Sequence, residues 1–178
     1  MKSERVILTG FMGTGKTAVA HALAKRLHSQ FLDTDLMVEE TVGKTIGEIF
    51  VKEGEDAFRA YEKQMVRKAL ERDEKVVVST GGGAIVDPEN LKLMKEKGIV
   101  IGLSASPEEI MKRVERMDVR PLLKTKDTLK KIKELLSHRS PYYRKADTII
   151  DTTARPVEET VEKIVNFLNA NHPRPTQK

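Results

Sequence analysis

The chain has no cysteine and no tryptophan in 178 residues, and its aromatic content is only 4%. The missing thiol excludes disulfides, thiolate metal sites and a cysteine nucleophile, and it suits a reducing compartment. So few rings leave little on which bases could stack, and the interleaving of basic and aromatic residues used by single-strand binders is missing. No run approaches the roughly 20 apolar residues of a membrane-spanning helix. Basic residues do precede an N-terminal apolar stretch, but Gly10 and Gly13 cut it and no small-residue cleavage site follows. A cytoplasmic location is expected, with neither nucleic acid nor membrane as partner. Charge is mixed, 32 Lys+Arg against 27 Asp+Glu, and the modest excess of +5 favours small anionic ligands. The four histidines (21, 28, 138 and 172) lack metal-ligand spacing. The length fits one domain, here expected over 1–170 with 171–178 a flexible tail, and a monomer is the expected state.

What is present is a regular alternation. "RVILT" (5–9), "KVVVS" (75–79), "IVIGL" (99–103) and "DTIID" (147–151) read as buried strands, and a shorter run "QFLDTD" (30–35) ends in two aspartates. Helical spacing links them, as in Val19, Leu23 and Leu27, in Phe58, Met65 and Ala69, and in Val157, Val161, Ile164 and Leu168. Thr45 and Glu48 form a capping-box pattern, and Asp87-Pro88 and Ser106-Pro107 mark helix starts. From Arg113 to Lys131 the apolar period is lost, Lys and Arg accumulate and Pro121 intervenes, which predicts a mobile loop. Strands alternating with helices imply an α/β fold, a parallel sheet with helices on both faces, whose ligands sit beyond the carboxyl ends of the strands.

The residues that carry chemistry cluster at those ends. Gly10 to Thr17, "GFMGTGKT", satisfies G-x-x-x-x-G-K-[ST], the P-loop pattern. Backbone N–H groups of Gly13, Thr14, Gly15, Lys16, Thr17 and Ala18 would cradle phosphates, Lys16 would reach the β/γ-phosphates and Thr17 would ligate Mg²⁺. Asp33 and Asp35, two apart, would point to one side of an extended backbone, one to hold a Mg²⁺-bound water and the other to accept a proton; a helix cap is the alternative. Gly81, Gly82 and Gly83 end the strand at Ser79 and imply either close approach of a ligand or a tight bend. Arg59 on a helix and Arg139 at a helix end could each fork onto a carboxylate or simply lie in solvent. Arg113, Arg116 and Arg120 fall in the expected loop, where a basic lid would stabilise a transferring phosphoryl group.

The ordered set "GFMGTGKT", "FLDTD", "FR", "STGGGA", "RPLL" and "HRSPYYRKAD" resembles the shikimate kinases over about residues 5–168. The resemblance implies a P-loop three-layer sandwich. Its five-stranded parallel sheet, in order 2-3-1-4-5, would be flanked by helices, with a substrate-binding helical segment (about 36–62) and a lid (about 113–126). It implies ATP as co-substrate, Mg²⁺ as cofactor, and transfer of the γ-phosphate to the 3-hydroxyl of shikimate. By the same resemblance Asp35 takes that hydroxyl, Arg59 and Arg139 bind the substrate carboxylate, and the backbone of Gly81 to Gly83 lies against the ring. Thr17, and through water Asp33 and Ser79, would order Mg²⁺, while Arg120 reaches the phosphates and Arg113 stacks on adenine. A gluconate- or nucleotide-kinase-like enzyme shares the loop but gives no account of paired arginines with "DTD" and "STGGG". An inactive kinase-like binding protein should have lost one of Lys16, Asp35, Arg59, Arg120 and Arg139.

Overall fold

The computed structural model describes residues 5–72, 75–115 and 127–171. Strands β1 (Arg5–Gly10), β2 (Gln30–Asp33), β3 (Val76–Ser79), β4 (Ile99–Ser104) and β5 (Thr148–Asp151) form one sheet in the order β2-β3-β1-β4-β5, every pairing parallel. This is the expected order. Alternation along the strands builds two cores. Ile7, Val76, Val78 and Val100 face one side, while Val6, Leu8, Val77, Ile99 and Ile101 face the other, which is the period-2 pattern of a sheet covered on both faces.

Helices α1 (Lys16–Leu27) and α8 (Val157–Asn171) cover the second face through Val19, Leu23, Val161 and Ile164. The first face is covered by α4 (Glu55–Leu70), α5 (Pro88–Lys97), α6 (Pro107–Glu115) and α7 (Thr128–Tyr143), through Val66, Met94, Ile110 and Ile132. A third cluster, Val38, Ile49, Phe58 and Met65, joins α2 (Thr34–Val42) and α3 (Ile46–Lys52) to α4 beside the carboxyl end of β2. Among the described residues no helix is long and apolar enough to cross a membrane.

Local signals account for most boundaries. The Thr45–Glu48 capping box is reciprocal, with the Thr45 hydroxyl accepting from Glu48 N and the Glu48 carboxylate from Thr45 N. Thr45 and Lys52 together hold the Glu48 carboxyl down to about 2, Thr45 contributing most. Two expectations need correction. The stretch read as a loop from Arg113 to Lys131 is helical at both ends: α6 runs to Glu115 because Val114 is buried in the first core, and α7 starts at Thr128 behind the Asp127 cap. The rest of the expected lid, 116–126 with Arg116 and Arg120, lies outside the described residues, as do His172 and the tail from 172. Arg139 is not at a helix end either. Helix α7 continues through Pro141 to Tyr143, and the Ser140 hydroxyl donates to the Ser137 carbonyl (3.4 Å), the group that a residue-141 N–H would otherwise reach.

Helix α5 offers a simple test of the capping account. Asp87 accepts from Glu89 N (2.7 Å) and Asn90 N (3.2 Å) with Pro88 at the first helical position. Asp87→Ala is expected to lower the unfolding free energy by about 1 kcal/mol in urea denaturation.

Candidate active site

The glycines of the first loop each answer to a backbone demand. Gly10, Gly13 and Gly15 have φ of 146°, 75° and 88°, and a Cβ on Gly10 would run into the Leu103 carbonyl of β4. Gly15 caps α1 with no side-chain hydrogen bond, and the first turn of α1 holds no acid, whereas α2, α3, α5 and α7 are capped by Asp33, Thr45, Asp87 and Asp127. The first N–H groups of α1 are thereby left for a ligand, with the positive end of the helix dipole behind them. Lys16 Nζ folds back to the Phe11 carbonyl at 2.9 Å, and the Thr17 hydroxyl donates to Asp33 Oδ2 at 2.9 Å. Ser79 lies opposite Asp33 in the register and is buried.

Asp33 caps α2 and also lines the cleft. Its Oδ1 accepts from Asp35 N (3.0 Å) and Leu36 N (3.4 Å), while Oδ2 faces Thr17. The expectation that Asp33 and Asp35 project together from extended backbone does not hold, because β2 stops at Asp33 and Asp35 stands in the first turn of α2. It still reaches the cleft, since a Cβ on Gly81 would sit 2.6 Å from Asp35 Oδ1 and would also collide with Glu62 Oε1.

The chain does turn here, with Ala84 N donating to the Gly81 carbonyl (3.1 Å), and the close contacts give the glycines a further reason beside the two alternatives expected. Gly81, Gly82 and Gly83 are not among the residues of positive φ, so no left-handed bend requires them. Instead the site's own charged side chains occupy the space of the missing Cβ atoms: Asp35 and Glu62 at Gly81, and the Arg59 guanidinium at Gly83. The loop is held by Gly81 N donating to Thr34 Oγ1 (3.2 Å), and by Tyr143 Oη donating to the Gly82 carbonyl (2.8 Å).

Arg59 forks onto Glu55 through Nε (3.2 Å) and Nη2 (2.9 Å) and gives Nη1 to Glu62 (2.7 Å). Burial acts to lower its pKa, but the two carboxylates outweigh burial and raise it. Glu62 is 2% exposed, and burial pushes its carboxyl above the usual range, with Asp35 adding repulsion, against the pull of Arg59. Its Oε1 has no hydrogen-bond partner. Arg139 projects from α7 with its guanidinium 5.8 Å from the Phe11 ring centre. Burial pushes the Tyr143 phenol up to about 12, despite the opposing Arg139, so it remains a donor.

Together Lys16, Thr17, Asp33, Asp35, Arg59, Ser79, Gly81, Gly82, Gly83 and Arg139 line one cleft of about 660 Å³, within the range of small-molecule sites. Arg113 stands behind the loop and bonds the Gly13 carbonyl, Thr152 and Glu109. Sequence reasoning missed Glu62, Tyr143 and Thr152. Glu62 had a signal, an acid inside the apolar stripe Phe58, Met65, Val66, Ala69 of α4. Among the described residues no group of three or more histidine, cysteine or acidic side chains could hold a metal ion by itself.

A phosphate-binding loop and a carboxylate–arginine cluster facing each other across the carboxyl rim of a parallel sheet define a small-molecule kinase of the P-loop class. The sequence places it more narrowly. A family model described as shikimate kinase matches residues 12–169. The shikimate kinase of Pelotomaculum thermopropionicum is 44% identical over 169 residues, 95% of this chain and 98% of that protein. That of Geobacter metallireducens is 44% identical over 165 residues, 93% and 92% of the two chains. Among solved structures, the Acinetobacter baumannii shikimate kinase in complex with shikimate superposes with a TM-score of 0.91 at 36% identity, covering 96% of this chain and 95% of that one. The Aquifex aeolicus enzyme gives 0.80 at 34%, covering 94% and 97%. The chain belongs to the shikimate kinase family.

The buried carboxylate of Glu62 makes a prediction about stability. Because the folded state holds the Glu62 proton more tightly than the unfolded chain, stability falls as pH rises from about 4.5 through the raised folded value, and the full penalty stands above it. Glu62→Gln removes that slope and leaves Arg59 paired with Glu55. The melting temperature of the variant relative to the parent should therefore increase between pH 4.5 and pH 7; a difference independent of pH would contradict the burial argument.

Proposed function

We propose that this member of the shikimate kinase family transfers the γ-phosphoryl group of ATP to the 3-hydroxyl of shikimate, with Asp35 receiving the hydroxyl. The observation that carries the reading is the meeting in one cleft of the uncapped α1 loop with Asp35, Arg59 and Arg139 around Gly81 to Gly83. Phosphoryl transfer asks the protein mainly to bring the acceptor in line and to balance charge on the phosphate oxygens. The N–H groups of Gly13 and of Gly15 to Ala18 and the Lys16 ammonium serve the phosphates, Lys16 exchanging the Phe11 carbonyl for them, whereas the Thr14 N–H expected to join them turns to Phe11 O. Asp35 orients the acceptor hydroxyl and takes its proton.

Arg59 and Arg139 receive the substrate carboxylate. Arg59 can do so cheaply, because its bond to Glu55 joins it to a residue 58% exposed, and such pairs are worth ~1 kcal/mol or less. Its bond to buried Glu62 is kept and aims the fork. The Gly81 to Gly83 backbone forms the floor under the ring. Hard oxygen donors stand where the family's Mg²⁺ is expected: the Thr17 hydroxyl against Asp33 Oδ2, with Ser79 beside them. This donor set fits Mg²⁺, Thr17 as ligand and Asp33 and Ser79 through water. When bound, the ion neutralises charge on the β- and γ-phosphate oxygens. Arg120, in "RPLL", as a phosphate-reaching arginine and Arg113 as an adenine contact rest on the family resemblance.

The test is a coupled assay of ADP release with shikimate, gluconate and nucleoside monophosphates offered as acceptors. Turnover with shikimate alone is expected, and equal rates with gluconate would overturn the acceptor assignment. Asp35→Asn should lower kcat by about 10²–10⁴, the usual share of a general base, while ADP affinity stays near that of the parent. Arg139→Lys should raise the KM for shikimate while leaving that for ATP unchanged, because a point charge cannot reproduce the fork.

A further inference from the structure

Behind the phosphate loop lies a second polar network that the cleft residues do not include. Thr152, on the segment after β5, is 3% exposed. Its hydroxyl lies 3.0 Å from the Thr14 carbonyl, 3.0 Å from the Ser104 carbonyl and 3.0 Å from Arg113 Nη1. Arg113 can only donate, so the hydroxyl oxygen accepts from it and has one proton to give. Ser104 O already takes the Thr152 N–H at 2.8 Å, so of the two carbonyls at equal distance Thr14 O is the one with more to gain from the single hydroxyl proton. Arg113 is fixed in turn: Nη2 donates to Thr152 O (2.7 Å), Nη1 also reaches Gly13 O (3.2 Å), and Nε meets Glu109 (2.9 Å).

The peptide between Thr14 and Gly15 is the soft point of the cradle. Gly15 tolerates either sign of φ, so this peptide can flip at little steric cost. In the flipped state a carbonyl would face the phosphates in place of an N–H. The C=O and N–H of a trans peptide point in opposite directions, so holding Thr14 O to the rear aims Gly15 N–H forward into the cleft that Gly15 lines. The neighbouring Gly13–Thr14 peptide is tied at both ends, its carbonyl to Arg113 and its N–H to Phe11 O at 3.3 Å.

We infer that Thr152 is a positioning residue for phosphate binding: its hydroxyl, braced by Arg113, locks the Thr14–Gly15 peptide with its N–H toward the nucleotide. The inference rests on the phosphate-loop reading of the site and is independent of which acceptor is used.

Thr152→Val keeps the shape and removes the hydroxyl, and Thr152→Ser keeps the hydroxyl. ADP binding in the presence of magnesium, followed by calorimetry, needs no acceptor, so a failure to phosphorylate shikimate would sink the acceptor assignment without touching this one. The valine variant should bind ADP about tenfold more weakly, a change of about 1.4 kcal/mol, and the serine variant within about threefold of the parent. In the kinase assay the valine variant should raise KM for ATP and for GTP by the same factor and leave KM for shikimate unchanged. Parental ADP affinity in the valine variant would overturn the inference. So would an equal loss in the serine variant, a rise in KM for both substrates, or a change in the ATP to GTP preference, which would place the effect at the base. If the valine variant does not fold, Thr152→Ala against Thr152→Ser makes the same comparison.

Discussion

The rim of this sheet depends on peptide backbone meeting charge with no Cβ between them. At Gly81 the oxygens of Asp35 and Glu62 fill the side-chain space, at Gly83 the Arg59 guanidinium does, and at Gly10 the β4 carbonyl of Leu103 does. Three helices converge through those contacts. Helix α2 brings Asp35, α4 brings Arg59 and Glu62, and α7 brings Arg139 together with the Tyr143 hydroxyl that pins Gly82. A methyl group at Gly81 or Gly83 would move a charged side chain rather than a loop, because neither glycine needs an unusual φ. The glycines of the site follow directly on β3, which is buried along its whole length.

Much of this was legible in the sequence because the information is local. The phosphate loop puts its glycines, lysine and threonine within eight residues, the capping box spans four, and strand alternation repeats every two. What stayed hidden depends on contacts across the fold. Tyr143 meets Gly82 from 61 residues away and Thr152 meets Thr14 from 138 away, and no spacing rule reports such pairs. Asp35 reaches the cleft by a different backbone from the one its spacing suggests, since the N-cap position of Asp33 starts the helix early enough to turn Asp35 out of the strand. The continuation of α7 past Pro141 was unreadable for a similar reason. A serine hydroxyl substitutes for the missing N–H, and burial of Tyr143 holds the last turn.

Glu62 shows how stability and function separate within one pair of residues. Its burial raises the energy of the ionised form, and one of its oxygens has no hydrogen-bond partner, so the carboxylate is a poor stabiliser by itself. It keeps one arm of Arg59 at 2.7 Å in a fixed direction, while the exposed Glu55 holds the other arm by contacts that water can replace. An arginine paired only with solvent-exposed acids would sample many orientations. An arginine paired with two buried acids would have no arm to offer. One buried and one exposed carboxylate leave the guanidinium aimed and still available.

The same division of charge governs the two halves of the cleft. The loop half is electropositive through the α1 N-terminus and Lys16, offset only by Asp33, which suits polyphosphate. The other half sets Arg59 and Arg139 among the acids Asp35, Glu39 and Glu62. In the proposed binding mode a carboxylate arriving there would take the arm of Arg59 that the exposed Glu55 now holds, with Asp35 against Gly81. Cations thus stand in both halves, Lys16 with the α1 N-terminus in one and Arg59 with Arg139 in the other. What the two halves share is the backbone between them: Gly82 lies against the Gly10 carbonyl at a distance that a Cβ would shorten to 3.1 Å, and so the separation of donor and acceptor is set by two strands of the sheet.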